Sequence, residues 1–170
     1  MIVAVLSDTH GDSLRIATTL ELLEAYRPAL VIHCGDIDTE AAACQLCTYP
    51  MHFVLGNCDP PERVIRPVIE ACGGVLHGSF GELVASEKRL AFLHGHDNSV
   101  LRQTVHKGLY DYVFFGHTHR ASEERVGKTR VINPGALYRT AQPGFVLLDL
   151  VADQVKWLAL PAAEAPRDWQ

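Results

Sequence analysis

The sequence predicts an α/β fold built on a parallel sheet. In the first half of the chain, a short apolar run, a polar loop and a stretch with apolar residues at helical spacing follow one another three times. Consecutive strand–loop–helix units of this kind form a parallel sheet with right-handed crossovers. The second half differs, because several of its short apolar runs lie close enough together to form hairpins.

The length predicts a single domain. A chain of 170 residues can bury roughly two thirds of its unfolded surface in one core. With 48% hydrophobic and 21% charged residues, the composition is that of a globular protein and excludes disorder of the whole chain. We expect one domain over residues 1–160 and a frayed tail rich in Pro and Ala over residues 161–170.

The elements of the first half have clear signals. The opening apolar run stops at Asp8, and Asp12 is expected to cap the helix that follows. In that helix Leu20 and Leu23 belong to one apolar face. The predicted strands cover residues 1–7, 30–33 and 52–55, and the predicted helices cover residues 13–27, 39–46 and 61–72.

The second half is predicted as hairpins around one further strand–helix unit. Gly127 stands first in a two-residue turn, which is typical of a type II′ hairpin at residues 126–129. The other predicted strands cover residues 82–86, 89–93, 112–115, 144–151 and 155–160, and one helix covers residues 100–107.

Charge and cysteine content restrict the functional classes. With 15 Lys+Arg against 20 Asp+Glu, the net charge is −5, which disfavours nucleic acid as the main partner. The apolar start ends after six residues without a basic stretch before it, which excludes a signal peptide or membrane span there.

Five cysteines are an odd number and favour a reducing compartment, so we expect a cytoplasmic protein. Cys44 and Cys47 are interpreted as small apolar residues on one helix face.

Polar loops follow nearly every predicted strand. Loops at the carboxyl ends of parallel strands converge on one rim, where ligands bind. Carboxylate, amide and imidazole donors together suit two divalent ions such as Mn²⁺, Fe²⁺, Co²⁺, Ni²⁺ or Zn²⁺, with one carboxylate bridging them. The loops are Asp8-Thr9-His10, Gly35-Asp36, Gly56-Asn57, His94-Gly95-His96 and Gly116-His117-Thr118-His119.

This series of motifs resembles the calcineurin-like metallophosphoesterase superfamily. The short chain, Gly56-Asn57-Cys58-Asp59 and Asn133-Pro134-Gly135 narrow the resemblance to the small bacterial and archaeal phosphodiesterases of the YfcE/MJ0936 type. The motifs span residues 8–135 and are specific together, although each alone is weak. The resemblance implies a four-layer α/β/β/α sandwich of two mixed sheets, the metallophosphoesterase fold.

The resemblance also implies a dinuclear metal centre, with Mn²⁺ as the expected ion. All seven ligand positions hold the expected residue type, whereas a related retromer subunit with the same fold departs from the pattern at metal-binding positions. Asp8, His10 and His119 would bind the first ion, Asn57, His94 and His117 the second, and Asp36 would bridge both.

Two metal ions suit the hydrolysis of a phosphate ester. Ions about 3.5–4 Å apart can hold a bridging hydroxide as nucleophile and bind the phosphoryl oxygens at the same time. No Ser or Cys nucleophile is then needed, and no phosphoenzyme is expected. We therefore expect a metal-dependent phosphodiesterase that acts on a small organic phosphodiester.

The sequence departs from larger relatives at Cys58. In many of them this residue is a His that protonates the leaving oxygen, a role for which Cys58 is a poorer match. His96 is the substitute donor or a phosphate contact, unless it only orients its loop. Asp59 is expected to fix a neighbouring His, and Arg120 or Arg139 to reach a non-bridging oxygen.

Other functions share these motifs. A phosphomonoesterase or a nucleotide pyrophosphatase would use the same dinuclear site, and a non-catalytic interaction scaffold of the retromer-subunit type would bind metal and recruit a protein. The intact ligand set favours the enzyme. Because relatives form dimers or larger assemblies, a homo-oligomer is also an option; a membrane is not an expected partner.

Overall fold

The computed structural model describes residues 1–161 and contains eleven strands and four helices in this part of the chain. In chain order they are β1 (Ile2–Leu6), α1 (Ser13–Tyr26), β2 (Leu30–His33), α2 (Glu40–Leu46), β3 (Met51–Phe53), α3 (Glu62–Ala71), β4 (Val75–Leu76), β5 (Phe80–Ala85), β6 (Lys88–Leu93), α4 (Asn98–His106), β7 (Tyr112–Phe114), β8 (Ser122–Val126), β9 (Thr129–Asn133), β10 (Gly144–Asp149) and β11 (Gln154–Ala159). None of these four helices is long and apolar enough to cross a membrane. Apart from Pro161, the predicted tail lies outside the described residues.

The first sheet contains the three predicted strand–loop–helix units. Its strand order is β11-β10-β1-β2-β3-β4. Strands β1 to β4 are parallel, and β10 and β11 extend the sheet in antiparallel fashion. Val5 lies opposite Ile32, and His33 lies opposite Phe53. The loops that follow β1, β2 and β3 therefore leave the sheet at the same edge.

The second sheet has the order β5-β6-β7-β9-β8. Strands β6, β7 and β9 are parallel, and antiparallel hairpins complete both sides. In the β8–β9 turn Gly127 has a φ of 60°, as the predicted type II′ turn requires. In the β5–β6 turn Ser86 and Glu87 both have positive φ, at 47° and 61°, which is the pattern of a type I′ turn.

Three apolar clusters separate four layers. Leu23 and Phe53 belong to the cluster between α1–α3 and the first sheet. Val5 and Phe92 belong to the cluster between the two sheets. Val105 of α4 packs on the outer face of the second sheet. The predicted α/β/β/α sandwich of two mixed sheets is confirmed.

The predicted elements agree with the structure to within two residues at each end. The Asp12 side chain accepts a hydrogen bond from the Arg15 N–H at 3.1 Å, which confirms the predicted helix cap. The sequence missed β4, because two residues after Gly73 and Gly74 are too few to show a period.

The prediction for the Cys-x-x-Cys motif is wrong at Cys44. Its side chain does not pack as an apolar residue; the residue is exposed on α2, and its sulfur is bonded to that of Cys72 at the end of α3. Cys47 packs against the helix-side core, as expected. Cys34, Cys47 and Cys58 are free. The disulfide joins the two helices that follow the loops after β2 and β3.

Candidate metal centre

Loops from both sheets meet at the carboxyl edge of the parallel strands. The Asp8 N–H donates to the Gly35 carbonyl at 3.0 Å, which joins the loops after β1 and β2. The Gly116 N–H donates to the His94 carbonyl at 2.9 Å, which joins the loops after β7 and β6. The His117 N–H donates to Asp8 Oδ2 at 3.1 Å and links the two sheets. The predicted rim is thus formed.

The three residues predicted for the first ion lie together. Donor atoms of Asp8, His10 and His119 are all within 4.8 Å of one another. His119 Nε2 is 3.3 Å and His10 Nε2 is 4.0 Å from Asp8 Oδ1. The Asp8 side chain is fully buried. This spacing suits three ligands of one ion.

Asp36 lies between this group and the residues predicted for the second ion. Its Oδ2 is 3.7 Å from His10 Nε2 and 3.2 Å from His94 Nε2. The His117 ring centroid is 5.1 Å from that of His94. The central position of Asp36 is the one that a bridging carboxylate needs.

We refer to the space bordered by the loops after β1, β2, β3, β6 and β7 as the cleft. The remaining predicted site residues are exposed. Asn57 is exposed, and its amide nitrogen donates to Cys58 Sγ at 3.3 Å. The His96 ring centroid is 5.5 Å from that of His94. Arg120 and Arg139 are exposed too, and Arg139 lies over the Tyr138 ring at 5.2 Å; that ring is 5.5 Å from His10.

The backbone of the cleft is strained. Left-handed φ values cost free energy in residues other than glycine and are concentrated at functional sites. Here they occur at Asp8 (55°), His10 (45°), Asp36 (60°), Asp38 (70°), His117 (66°) and His119 (56°).

Two glycines of the motifs are required by close approach. A Cβ at Gly56 would overlap Asp36 Oδ1, and a Cβ at Gly116 would overlap Ser7 Oγ. Larger residues at these positions would push the loops away from the cleft. The glycines that precede Asn57 and His117 are thus packing requirements.

Hydrogen bonds orient the imidazole rings. His94 Nδ1 lies 2.8 Å from the Cys34 carbonyl, so it donates there and its Nε2 is free to bind an ion. His10 Nδ1 lies 3.0 Å from Asp38 Oδ2, which orients His10 in the same way. Asn133 donates to the Gly116 carbonyl at 2.8 Å and thereby holds the His117–His119 loop.

The expectation for Asp59 is wrong. Its carboxylate does not fix a His; it accepts four backbone N–H groups from the loops after β2 and β3. The donors are Asp36 at 3.0 Å, Ile37 at 2.6 Å, Asp38 at 2.9 Å and Gly56 at 2.7 Å. Asp38 is the carboxylate that orients a His, and the sequence analysis missed it.

The charges of the cleft are arranged for a cation. Burial raises the pKa of Asp8 above its ordinary value. Burial also opposes the charged form of Asp36, but the contact with His94 and the Cys58 N–H prevail and hold the pKa of Asp36 below its ordinary range. The same Asp36 contact overcomes the burial of His94 and raises the pKa of that imidazole.

Several buried polar atoms favour metal ions at this position. Asp8 Oδ1, His10 Nε2 and His94 Nε2 are buried and have no hydrogen-bond partner within residues 1–161. An unpaired buried polar atom is costly, and these three point into the same cleft. Carboxylate and imidazole donors are ligands of borderline divalent ions. The residues present therefore fit such ions.

Comparison with known proteins agrees with this arrangement. Phosphodiesterase MJ0936 of Methanocaldococcus jannaschii is 27% identical over 165 residues, covering 94% of this chain and 99% of that protein. A solved structure of an archaeal phosphodiesterase superposes with a TM-score of 0.88 at 27% identity, covering 94% of this chain and all of the other. Vps29 of Entamoeba histolytica, at 21% identity and a TM-score of 0.69 over 94% of this chain and 98% of that one, shares the fold.

The model of the calcineurin-like phosphoesterase superfamily domain matches residues 1–153, which include both sheets up to the end of β10 and every loop of the cleft. With the four layers and the rim of carboxylates and imidazoles in place, the chain belongs to the calcineurin-like phosphoesterase superfamily.

Proposed function

We propose that this protein is a divalent-metal-dependent phosphodiesterase that hydrolyses a small organic phosphodiester. The observation that carries the proposal is the convergence of three unpartnered buried donor atoms, Asp8 Oδ1, His10 Nε2 and His94 Nε2, around the Asp36 carboxylate. Membership of the superfamily makes the chain a phosphoric ester hydrolase. The relative named as a phosphodiesterase supports the diester over the monoester.

In this proposal two ions occupy the cleft. Such ions supply Lewis acidity and an activated water near neutral pH. Carboxylate, imidazole and amide donors fit Mn²⁺, with Fe²⁺, Ni²⁺, Co²⁺ and Zn²⁺ as alternatives. Asp8, His10 and His119 hold the first ion, Asn57, His94 and His117 hold the second, and Asp36 contacts both.

The exposed arginines bind the substrate anion. Arg139 lies over the Tyr138 ring at 5.2 Å, and that ring is 5.5 Å from the His10 ring. Arg120 directly follows His119 in the chain and is exposed. Guanidinium groups bind phosphate oxygens through charge-assisted hydrogen bonds. We assign both side chains to non-bridging oxygens of the diester.

The proton for the leaving oxygen comes from His96. Burial and the neighbouring Asp36 carboxylate raise the pKa of the Cys58 thiol to about 11, which makes it a weak acid near neutral pH. His96 is exposed beside His94 and His117, with ring centroids at 5.5 and 6.2 Å. His96 is therefore the better donor of the two.

A small-molecule substrate and a cytoplasmic location are also part of the proposed function. The net charge of −5 supports a small substrate over nucleic acid. A cytoplasmic location rests on the three free cysteines, and the Cys44–Cys72 disulfide weakens that argument.

Turnover of bis(p-nitrophenyl) phosphate in the presence of Mn²⁺ tests the proposal. We expect hydrolysis that a chelator abolishes and that Asp36→Asn lowers by at least about a thousandfold, since the shared ligand is lost. His119→Ala should lose most activity, while His106→Ala, an exposed His on α4, should retain it. The same assay is run with p-nitrophenyl phosphate, a monoester, and with a dinucleotide pyrophosphate.

Two results would overturn the proposal. Faster hydrolysis of the monoester or the pyrophosphate than of every diester tested would reassign the substrate class. Metal binding without hydrolysis of any ester would favour the interaction scaffold.

A further inference from the structure

The cleft contains one donor atom that the seven-residue ligand set leaves unused, the sulfur of Cys58. We infer that Cys58 is an eighth metal ligand, which binds on the His10 side of Asp36 and gives the centre a mixed nitrogen, oxygen and sulfur donor set. The inference rests on the proposed metal centre and adds a residue to it.

The geometry brings three different donors to one point. Cys58 Sγ, a ring nitrogen of His10 and a carboxylate oxygen of Asp36 all lie within 4.8 Å of one another. Bonds of about 2.0 Å to nitrogen or oxygen and about 2.3 Å to sulfur allow two ligands of one ion to be up to about 4.3 Å apart. The cluster is thus close to the size of a single coordination sphere.

Backbone and side-chain contacts hold the sulfur in place. The Cys58 N–H donates to Asp36 Oδ1 at 2.9 Å, which fixes the residue against the shared carboxylate. Sγ accepts a hydrogen bond from Asn57 Nδ2 at 3.3 Å, and the thiol also lies against the Asp36 carboxylate. Both hydrogen-bond partners, Asp36 and Asn57, are assigned to the metal centre, so Cys58 is held at its edge.

The surrounding charge favours a cation at this point. The carboxylates of Asp36, Asp38 and Asp59 place negative charge around the Cys58 sulfur, which opposes a free thiolate and favours a bound cation. His10 Nε2 is buried without a hydrogen-bond partner and faces Asp36 Oδ2 at 3.7 Å. A divalent ion between His10 and Cys58 would offset this negative charge and give Nε2 a partner.

Binding releases one proton and changes the choice of ion. The thiol gives its proton to solvent, and the sulfur donates its electron pair to the metal, so no oxidant or reductant is required. A thiolate is a softer ligand than a carboxylate and favours Zn²⁺ or Co²⁺ over Mn²⁺. Cys58 therefore shifts the metal preference of a centre whose other ligands are nitrogen and oxygen donors.

Absorption of the Co²⁺-loaded protein tests this assignment. A thiolate bound to Co²⁺ gives a charge-transfer band in the near ultraviolet, which nitrogen and oxygen ligands do not give. We expect the band in the natural protein, its loss in Cys58→Ser and its retention in Cys47→Ser, the matched control for a free cysteine outside the cleft. The affinity for Zn²⁺ relative to Mn²⁺ should fall by about 10-fold or more in Cys58→Ser.

Alkylation of the natural protein provides a second test that needs no variant. Cys58 is exposed, whereas Cys34 is buried. Zn²⁺ should slow the reaction of Cys58 with iodoacetamide and leave that of Cys47 unchanged, as measured by mass spectrometry of the peptides.

The outcomes separate this inference from the proposed function. Co²⁺ uptake without the charge-transfer band, or equal alkylation of Cys58 with and without Zn²⁺, overturns the ligand assignment even if the protein hydrolyses diesters. The band together with no turnover of any ester supports the ligand assignment and overturns the proposed function.

Discussion

Asp38 shows how one residue can prepare a metal ligand without touching the metal. Its Oδ2 lies 3.0 Å from His10 Nδ1, and its own backbone has a left-handed φ of 70°. A carboxylate on the far nitrogen of a ligating imidazole fixes the ring and makes it a better donor. The strained backbone at Asp38 thus accompanies a side-chain contact that orients His10.

Replacing Asp38 should weaken the first ion selectively. We expect Asp38→Ala to lower its affinity by about 10–100-fold, since partners of this kind typically contribute that much. Asp38→Asn, which can still hydrogen-bond to the ring, should lose less. A Mn²⁺ titration of both variants measures the effect, with the exposed Glu87→Gln as control. Unchanged affinity in Asp38→Ala would exclude this role.

At the residue scale, the sequence predicted the candidate metal ligands but not how the neighbouring carboxylates hold them in place. Asp8 and His119 could be found because ligand-type side chains recur after strands. Asp38 was missed and Asp59 was given the wrong role, since one acts through a ring nitrogen and the other through backbone N–H groups. Neither interaction leaves a pattern of residue type or spacing.

The loops after β2 and β3 are joined by a single carboxylate. Asp59 accepts N–H groups of both loops, from Asp36, Ile37 and Asp38 on one side and Gly56 on the other. The disulfide between Cys44 and Cys72 joins the following helices. Together with the bond from the Cys58 N–H to Asp36 Oδ1, these two links fix the elements that carry Asp36 and Asn57.

Removing the Asp59 carboxylate should destabilise the fold. Asp59→Ala leaves four backbone donors without their acceptor, and we expect a loss of at least about 3 kcal/mol in the free energy of unfolding. Urea denaturation measures this. Asp97→Ala is the matched control, because Asp97 accepts only two backbone N–H groups, those of Ser99 and Val100, together with the Ser99 hydroxyl at the start of α4. Its loss should cost about 1 kcal/mol. Equal losses in the two variants would contradict this interpretation.

The disulfide can be tested by counting the reactive thiols of the protein. The unfolded protein without reductant should show three reactive thiols, and five after reduction. For a sequence separation of 28 residues, the crosslink should stabilise the fold by about 3–4 kcal/mol. The Cys44→Ser/Cys72→Ser double variant should lose this amount, and Cys47→Ser should not. Five reactive thiols without reductant would show that the bond does not form.

At the element scale, the sequence predicted the helices and strands because their periods and turn residues are local. It did not predict β4, which is two residues long, or the pairing of Cys44 with Cys72. That pairing depends on how α2 and α3 pack, which is a tertiary contact. The packing of one sheet against the other was predicted only from the resemblance to the superfamily.

At the scale of the whole molecule, a buried histidine makes the free energy of unfolding depend on pH. His33, at the end of β2, is fully buried, with Nε2 3.1 Å from Thr9 Oγ1 and Nδ1 accepting the Gly35 N–H at 3.2 Å. Burial lowers the pKa of His33 to about 3. The ring is therefore neutral in the folded protein and takes up a proton on unfolding below about pH 6.5.

The contribution of His33 to the free energy of unfolding should therefore be complete above about pH 6.5 and fall as the pH decreases toward 3. His33 alone contributes a loss of up to about 1.4 kcal/mol per pH unit, and burial of His52 and His77 acts in the same direction. Urea unfolding near pH 7 and pH 5 measures the slope, which His33→Asn should reduce and the exposed His106→Ala should not. An NMR titration that shows His33 gaining a proton near pH 6 in the folded protein would contradict this.

The metal content of the purified chain tests the central claim most directly. Equilibrium dialysis against Mn²⁺, with the bound metal counted, should give about two ions per chain, since the donors form two groups on either side of Asp36. Asp36→Asn should lose both ions together, whereas His119→Ala should chiefly weaken the first. Saturation at one ion, or two ions retained in Asp36→Asn, would contradict a centre organised around Asp36.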